Sequence, residues 1–345
     1  MIKVALYDAK DYDIHSFEKY ADPENYEIKF LETKLTADTA DLARGYDAVC
    51  VFVNDTVDAE VIDKLYENGV KLIALRCSGY NNIDVKHACG KVHVVHVPAY
   101  SPYAVAEHAM ALLLTSIRRI HKAYNRTRDF NFSLSGLTGF DLHGKTVGVV
   151  GTGKIGRIFI DICKGFGMNV IAYDKFPIKD SGITYVSLDE LFKQSDIISL
   201  HCPLTDDTRH MINRDAIEKM KKGVVIINTS RGALIDGEAL LEGIKARKVG
   251  AACLDVYEEE ADIFFEDRSG HILNDDLLSR LISMPNVIVT SHQAFLTEEA
   301  LENIARTTVN NILSYFEKNG ICDNELCYRC GNIEQCKKER KQRCF

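Results

Sequence analysis

The chain has 345 residues, 46 % apolar and 27 % charged, with a formal net charge of −8. That length suits two domains, and the acidic balance leaves no basic field to collect the phosphates of a nucleic acid or an anionic membrane surface. No apolar run reaches the roughly 18 residues that cross a bilayer, the N-terminus reads as a strand and not a signal peptide, and eleven cysteines without an export signal read as reduced thiols of a cytoplasmic protein.

In chain order, short β-branched runs alternate with helical patterns, which predicts parallel sheets flanked by helices, an α/β fold. A first series comprises IKVALYD (2–8), AVCVFV (48–53), KLIALR (71–76) and VHVVHV (92–97). Next comes SPYAVAEHAMALLLTSIRRIHKAY, where Ser101 can cap a helix and Pro102 fits its first turn. The helix is predicted from 102 to about 121; being apolar nearly all round, it should be buried at a domain junction or a subunit contact, the latter implying at least a dimer. A second series follows: KTVGVVG (145–151), NVIAYD (169–174), DIISLH (196–201), GVVIIN (223–228), GAACLDV (250–256) and NVIVTSH (286–292).

VGVVGTGKIG places a glycine turn between the first strand of the second series and a helix. Gly151 ends the strand, Gly153 leaves room for a pyrophosphate, and Gly156 lets the helix pack on the sheet, the arrangement of a dinucleotide fingerprint. Asp174 ends the next strand, where a carboxylate accepts hydrogen bonds from ribose hydroxyls and repels a 2′-phosphate, favouring NAD over NADP. In a doubly wound sheet, ligands bind outside the carboxyl ends of the strands. Those ends carry Gly151, Asp174, His201 with Cys202 and Pro203, Ser230 with Arg231, Asp255, and His292. A single such residue at a strand end is commonly a solvated or capping group, whereas six successive ends of this kind point to a shared crevice.

Reduction of a carbonyl by a nicotinamide explains the set. Hydride addition leaves charge on oxygen, which needs a proton donor, and histidine serves near neutrality. A guanidinium beside the carbonyl stabilises the oxyanion and grips a neighbouring carboxylate in a fork. Arg231 and His292 suit these roles. A carboxylate bonded to the histidine would favour its charged form and fix its orientation. DVYEEEADIFFED offers Glu258, Glu259 and Glu260, and spacing does not choose among them.

The motifs GTGKIG, HCPLT, NTSRGALID, LDVYEEE and SHQAFLTEEAL, in this order, resemble those of the NAD-dependent D-isomer-specific 2-hydroxyacid dehydrogenases. RCSGYNNID, VPAYSPYAVAEHA, RTRDFNFSLSGLTGFDL and FFEDRSG are similar to those of the bacterial fermentative D-lactate dehydrogenases within that family. The resemblance runs from the first strand to about residue 326 and implies a Rossmann-type NAD domain inserted into a flavodoxin-like catalytic domain. It implies catalytic domain over 1–100 and 295–326, NAD domain over 101–294, and a cysteine-rich basic tail over 327–345. It also implies the catalytic arginine at Arg231, the supporting glutamate at Glu260 and the acid/base histidine at His292. Backbone amides at Ser78 and Gly79, with Tyr100, are implied to hold the substrate carboxylate. Cofactor contacts fall on Lys154, Ile155, Asp174, Cys202, Pro203, Thr208, Thr229, Ser230, Arg231 and Asp255. Of these, Asp255 suits the nicotinamide carboxamide, and Thr208 stands where relatives commonly carry asparagine. Tyr80, Tyr100 and Phe295 are expected to crowd the side-chain pocket.

The expected reaction is the reversible reduction of pyruvate to D-lactate by NADH in a homodimer or homotetramer, with closure of the domains excluding water. The alternatives are a dehydrogenase for a bulkier 2-oxo acid, such as phenylpyruvate or 2-oxoisocaproate, and an NAD-sensing corepressor-like binding protein. The C-terminal sequence CDNELCYRCGNIEQCKKERKQRCF raises a separate question. Spacing admits a metal site at Cys322, Cys327, Cys330 and Cys336 or a redox disulfide, but neither the zinc-ribbon nor the ferredoxin pattern is complete, so the expectation is a loosely docked thiol-rich tail and no metal.

Overall fold

All ten β-branched runs form strands in the computed structural model, which describes residues 1–20, 22, 24–317 and 322–327. The chain divides into two compact units, Pro102–Phe295 and the pair of segments on either side of it.

In the flanking unit, β1 (Ile2–Leu6), β2 (Tyr26–Phe30), β3 (Ala48–Val51), β4 (Leu72–Leu75) and β5 (His93–Val95) form a parallel sheet in the order β5-β4-β3-β1-β2. This is the flavodoxin-like arrangement. β3 and β4 are buried along their whole length, as a sheet covered on both faces requires. The sequence patterning missed β2, an edge strand in which Glu27 and Lys29 interrupt the apolar run. The chain returns as the helix Glu298–Glu317, whose Ala305, Val309, Ile312 and Tyr315 join Val4, Leu6, Leu72 and Ala74 in one core. A two-residue strand, Glu325–Leu326, then pairs antiparallel with β5. Cys322 is buried in that core, its Sγ 3.4 Å from Asn311 Oδ1. Among the described residues no His, Cys, Asp or Glu cluster could hold a metal, and Cys330 and Cys336 lie outside them.

In the unit Pro102–Phe295, β6 (Thr146–Val150), β7 (Asn169–Tyr173), β8 (Ile197–Leu200), β9 (Val224–Asn228), β10 (Val249–Leu254) and β11 (Val287–Val289) lie in the order β11-β10-β9-β8-β6-β7, all parallel. A parallel bridge from Ala172 to Tyr185 marks a vestigial strand beyond β7. Counting it, the sheet has Rossmann topology, and the chain reverses direction across the sheet between β6 and β8, where such folds bind their ligand.

The apolar helix ends at Arg118, short of its predicted limit, and Arg119 takes a left-handed conformation (φ 54°) before a second helix, Ile120–Arg128. The apolar stripe stops at Ile117, and the second helix has no buried residue, so nothing draws it along the core. The first helix is a core element of this unit: Ala106, Ala109, Met110, Leu113 and Ile117 pack with Val147, Val149, Phe159, Ile160 and Cys163. No helix among the described residues is long and apolar enough to cross a membrane.

Candidate active site

The glycine turn joins β6 to the helix Lys154–Gly165. A Cβ on Gly156 would lie 2.0 Å from the carbonyl oxygen of Gly151, so only glycine lets the helix begin this close to the strand. Gly153 faces open space, and the first amides of the helix, including Lys154 and Ile155, have no partner within the helix. Beside them, Asp174 Oδ2 accepts from the backbone N (2.6 Å) and hydroxyl (2.9 Å) of Thr152, and Oδ1 accepts from Phe176 N (2.8 Å). Partial burial alone would raise the Asp174 carboxyl, but these bonds outweigh it and hold the group below the usual carboxylate range. Thr152 in turn lies 2.9 Å from the Tyr185 hydroxyl. The Gly-x-Gly pattern left Thr152 as an arbitrary residue; a hydroxyl there opposite a strand-end aspartate is the signal that would have found it.

His201, one of the strand-end candidates, is half-buried beneath the turn, with its ring 5.0 Å from that of Phe159 and Nε2 2.8 Å from Ser199 Oγ. Burial pushes it down to about 4, so it is neutral at ordinary pH. Cys202 is buried, and its carbonyl accepts the Ser230 hydroxyl at 2.7 Å, tying the ends of β8 and β9 together. Thr208 Oγ1 donates to the Pro203 carbonyl (2.8 Å) and accepts from Thr205 N, so it closes its own loop. At the end of β9 the Thr229 hydroxyl is buried with no hydrogen-bond partner among the described residues. The open cradle at Gly153, the low-lying Asp174 carboxylate and this orphaned hydroxyl at neighbouring strand ends fit a dinucleotide.

Asn228, fully buried, folds the next turn: its Nδ2 donates to the Arg231 carbonyl and its Oδ1 accepts from Ser230 N. Sequence reading passed over it because an Asn at a strand end is ordinary turn chemistry. Arg231 is half-buried and donates through one guanidinium nitrogen to the Ser230 carbonyl at 2.7 Å. A Cβ on Gly232 would lie 2.0 Å from the Tyr257 backbone, so the arginine's turn sits directly against the acidic loop that follows β10.

That loop resolves the choice among its glutamates. Glu260 Oε1 lies 2.7 Å from His292 Nδ1, and Oε2 accepts from Tyr257 N at 2.9 Å. Glu258 instead pairs with Arg209 and His210, and Glu259 is exposed. His292 follows β11 in a left-handed conformation (φ 52°), with the Phe265 ring 5.9 Å away. Because β9, β10 and β11 are parallel neighbours, Arg231, Glu260 and His292 all emerge at one edge of the sheet.

Asp255 is fully buried, and its oxygens accept from Thr290 Oγ1, Gln293 N and Ala294 N, so it organises the His292 loop. Phe295 is buried as well.

In the flanking unit, Ser78 and Gly79 follow β4 on a turn rooted by Arg76. That guanidinium is buried, pairs with Asp13 (3.2 Å) and donates to the Asp8 carbonyl (2.9 Å). The Ser78 carbonyl is 3.0 Å from His96 Nδ1. The Tyr100 carbonyl accepts from Asn303 at 2.9 Å, and Tyr80 is largely exposed.

A Rossmann sheet whose strand ends carry an arginine and a carboxylate-bonded histidine has the form of a nicotinamide-dependent oxidoreductase. The profile of the D-isomer specific 2-hydroxyacid dehydrogenase NAD-binding domain matches residues 110–294. The chain is 51 % identical to a D-lactate dehydrogenase of Escherichia coli over 329 residues, covering 94 % of this chain and 100 % of that one. The apo-structure of the D-lactate dehydrogenase from Escherichia coli superposes with a TM-score of 0.85 at 48 % identity, over 94 % of this chain and 100 % of the other. That of an Aquifex aeolicus D-lactate dehydrogenase complexed with NAD and lactic acid does so with 0.81 at 34 % identity, over 91 % and 95 %. The chain thus belongs to the D-isomer-specific 2-hydroxyacid dehydrogenase family, and it is an NAD-dependent oxidoreductase.

Proposed function

We propose that the protein reduces pyruvate to D-lactate, reversibly, at the expense of NADH. The observation that carries the reading is the His292–Glu260 pair beside Arg231 on adjacent strand ends. The extent of identity to an Escherichia coli protein named D-lactate dehydrogenase supports the choice of substrate. NADH supplies the hydride when bound. Lys154, Ile155 and the glycine turn would hold its phosphates, Asp174 its ribose, and Thr229, Ser230 and Cys202–Pro203 its inner half. Arg231 grips the substrate carboxylate and stabilises the negative charge developing on the carbonyl oxygen. Glu260 occupies Nδ1 of His292, which leaves Nε2 to deliver the proton to that oxygen. By the family resemblance, the amides of Ser78 and Gly79, with Tyr100, contribute to binding the substrate carboxylate, and Tyr80 and Phe295 to side-chain selectivity.

A 2-oxo acid series assayed by NADH oxidation, with chiral analysis of the products, tests the reading. Pyruvate should give the highest kcat/KM and D-lactate as product. Preference for phenylpyruvate or 2-oxoisocaproate would move the enzyme to the bulkier-substrate alternative, and NADH binding without turnover would make it a sensor.

The protein is read as a cytoplasmic homo-oligomer. Cys50, Cys163, Cys202 and Cys253 are thiols buried in the cores of the two units, where they pack as small hydrophobes, in keeping with a reducing compartment. Ile120, Tyr124, Phe130, Phe132 and Leu134 are exposed along one short arm, an apolar surface suited to a second copy.

A further inference from the structure

The helix Pro102–Arg118 turns an apolar face into its unit, with one inward histidine. His108 Nε2 lies 3.2 Å from Thr290 Oγ1 and 3.3 Å from Asp255 Oδ1. Asp255 is fully buried, which by itself would raise its carboxyl. Hydrogen bonds from His108, Thr290 and Ala294 outweigh that and hold it below the usual carboxylate range. An ionised carboxylate only accepts, so the proton between the two residues belongs to His108 Nε2.

The same carboxylate clamps the segment that carries His292. Oδ1 receives Thr290 Oγ1 at 2.6 Å and Gln293 N at 2.9 Å, and Oδ2 receives Ala294 N at 2.9 Å. The Asp255 backbone carbonyl takes His292 N at 2.7 Å. His292 itself is left-handed, a conformation that a non-glycine residue keeps only when its surroundings over-determine it. Asp255 is therefore the group that over-determines it, and His108 is the side chain from outside the loop that completes the carboxylate's shell.

We propose that His108 is a positioning residue of the dehydrogenase reaction, acting through Asp255 and Thr290 to hold the backbone of His292 in its working conformation. The proposal rests on the reading of His292 as the acid/base group. It also gives the helix a second purpose, since it carries a polar anchor to the far strand ends as well as filling the core.

Three variants test it. His108→Leu should lower kcat for pyruvate reduction about tenfold and raise the primary isotope effect with deuterated NADH, because a misplaced proton donor slows the chemical step. Its dissociation constant for NADH, read by fluorescence, should stay within about twofold. His108→Gln, which keeps an N–H donor, should recover kcat to within about threefold of the parent. Unchanged kcat and isotope effect in His108→Leu would overturn the proposal. So would a loss of NADH affinity matching the loss of kcat, or a Gln variant no better than Leu. His292→Ala, assayed alongside, should abolish turnover; full activity there would sink the acid/base reading instead.

Discussion

Replacing Glu260 by glutamine removes one charge and changes little in shape. In the native protein the two carboxylate oxygens accept from two donors, His292 Nδ1 at 2.7 Å and Tyr257 N at 2.9 Å. The amide has a single acceptor oxygen, so one donor faces an NH2 group. In the reducing direction His292 begins protonated, with the two charge centres roughly 4 Å apart, a separation worth about 4 kcal/mol near a protein surface. Both side chains are about one-fifth exposed, so solvent screens part of this attraction. A loss of about 2–3 kcal/mol remains, or roughly 30- to 150-fold in kcat/KM for pyruvate. NADH absorbance under steady-state conditions reads the rate, and fluorescence titration reads the cofactor, whose affinity should not change. A variant within threefold of the parent would show that the carboxylate does not support the histidine, and the assignment of Glu260 would fall.

Arg231→Lys should raise KM and lower kcat together, by roughly 100-fold or more in kcat/KM, since an ammonium lacks the planar fork; a change confined to KM would restrict the arginine to binding. Gly156→Ala puts a methyl group 2.0 Å from the Gly151 carbonyl. Moving the helix aside should cost about 1–3 kcal/mol and weaken NADH binding at least tenfold; an unaltered melting temperature and affinity would contradict the close packing described. His201 gives a stability effect with a definite sign. The unfolded chain protonates at 6.5 and the folded one only at about 4, so the unfolded state binds more protons between these values and stability falls as pH drops. This group alone should cost about 2 kcal/mol on going from pH 7 to pH 5. Urea unfolding of the parent and of His201→Gln at both pH values isolates it, and equal pH responses would refute the burial assigned to the ring.

The strand-end logic carried a long way from residue order alone. Ten strands were legible as apolar runs because a sheet covered on both faces buries most of each one, and the glycine turn announced itself through its spacing. The gaps had physical causes. β2 escaped notice because half of an edge strand faces water, so Glu27 and Lys29 break its pattern. The strand Glu325–Leu326 is too short to have a pattern, and only its pairing with β5 makes it one. The predicted extent of the long helix overshot because helical propensity continues past Ile117 while the core does not.

The sequence by itself determined which residues end the strands, and so which side chains were available for chemistry. It did not determine whom they meet. Among three consecutive glutamates, spacing is indifferent; the fold brings Glu260 against His292 and sends Glu258 to Arg209 and His210. Asp255 and His201 carry the same strand-end signal as their neighbours, yet one is fully buried as an ionised clamp and the other is a half-buried residue with a neutral ring. His108, 182 positions before Thr290, could not be connected to it from any local pattern. Strand ends are a local property of the chain, whereas a hydrogen bond between distant residues depends on sheet order and helix placement, which only the packed tertiary structure sets.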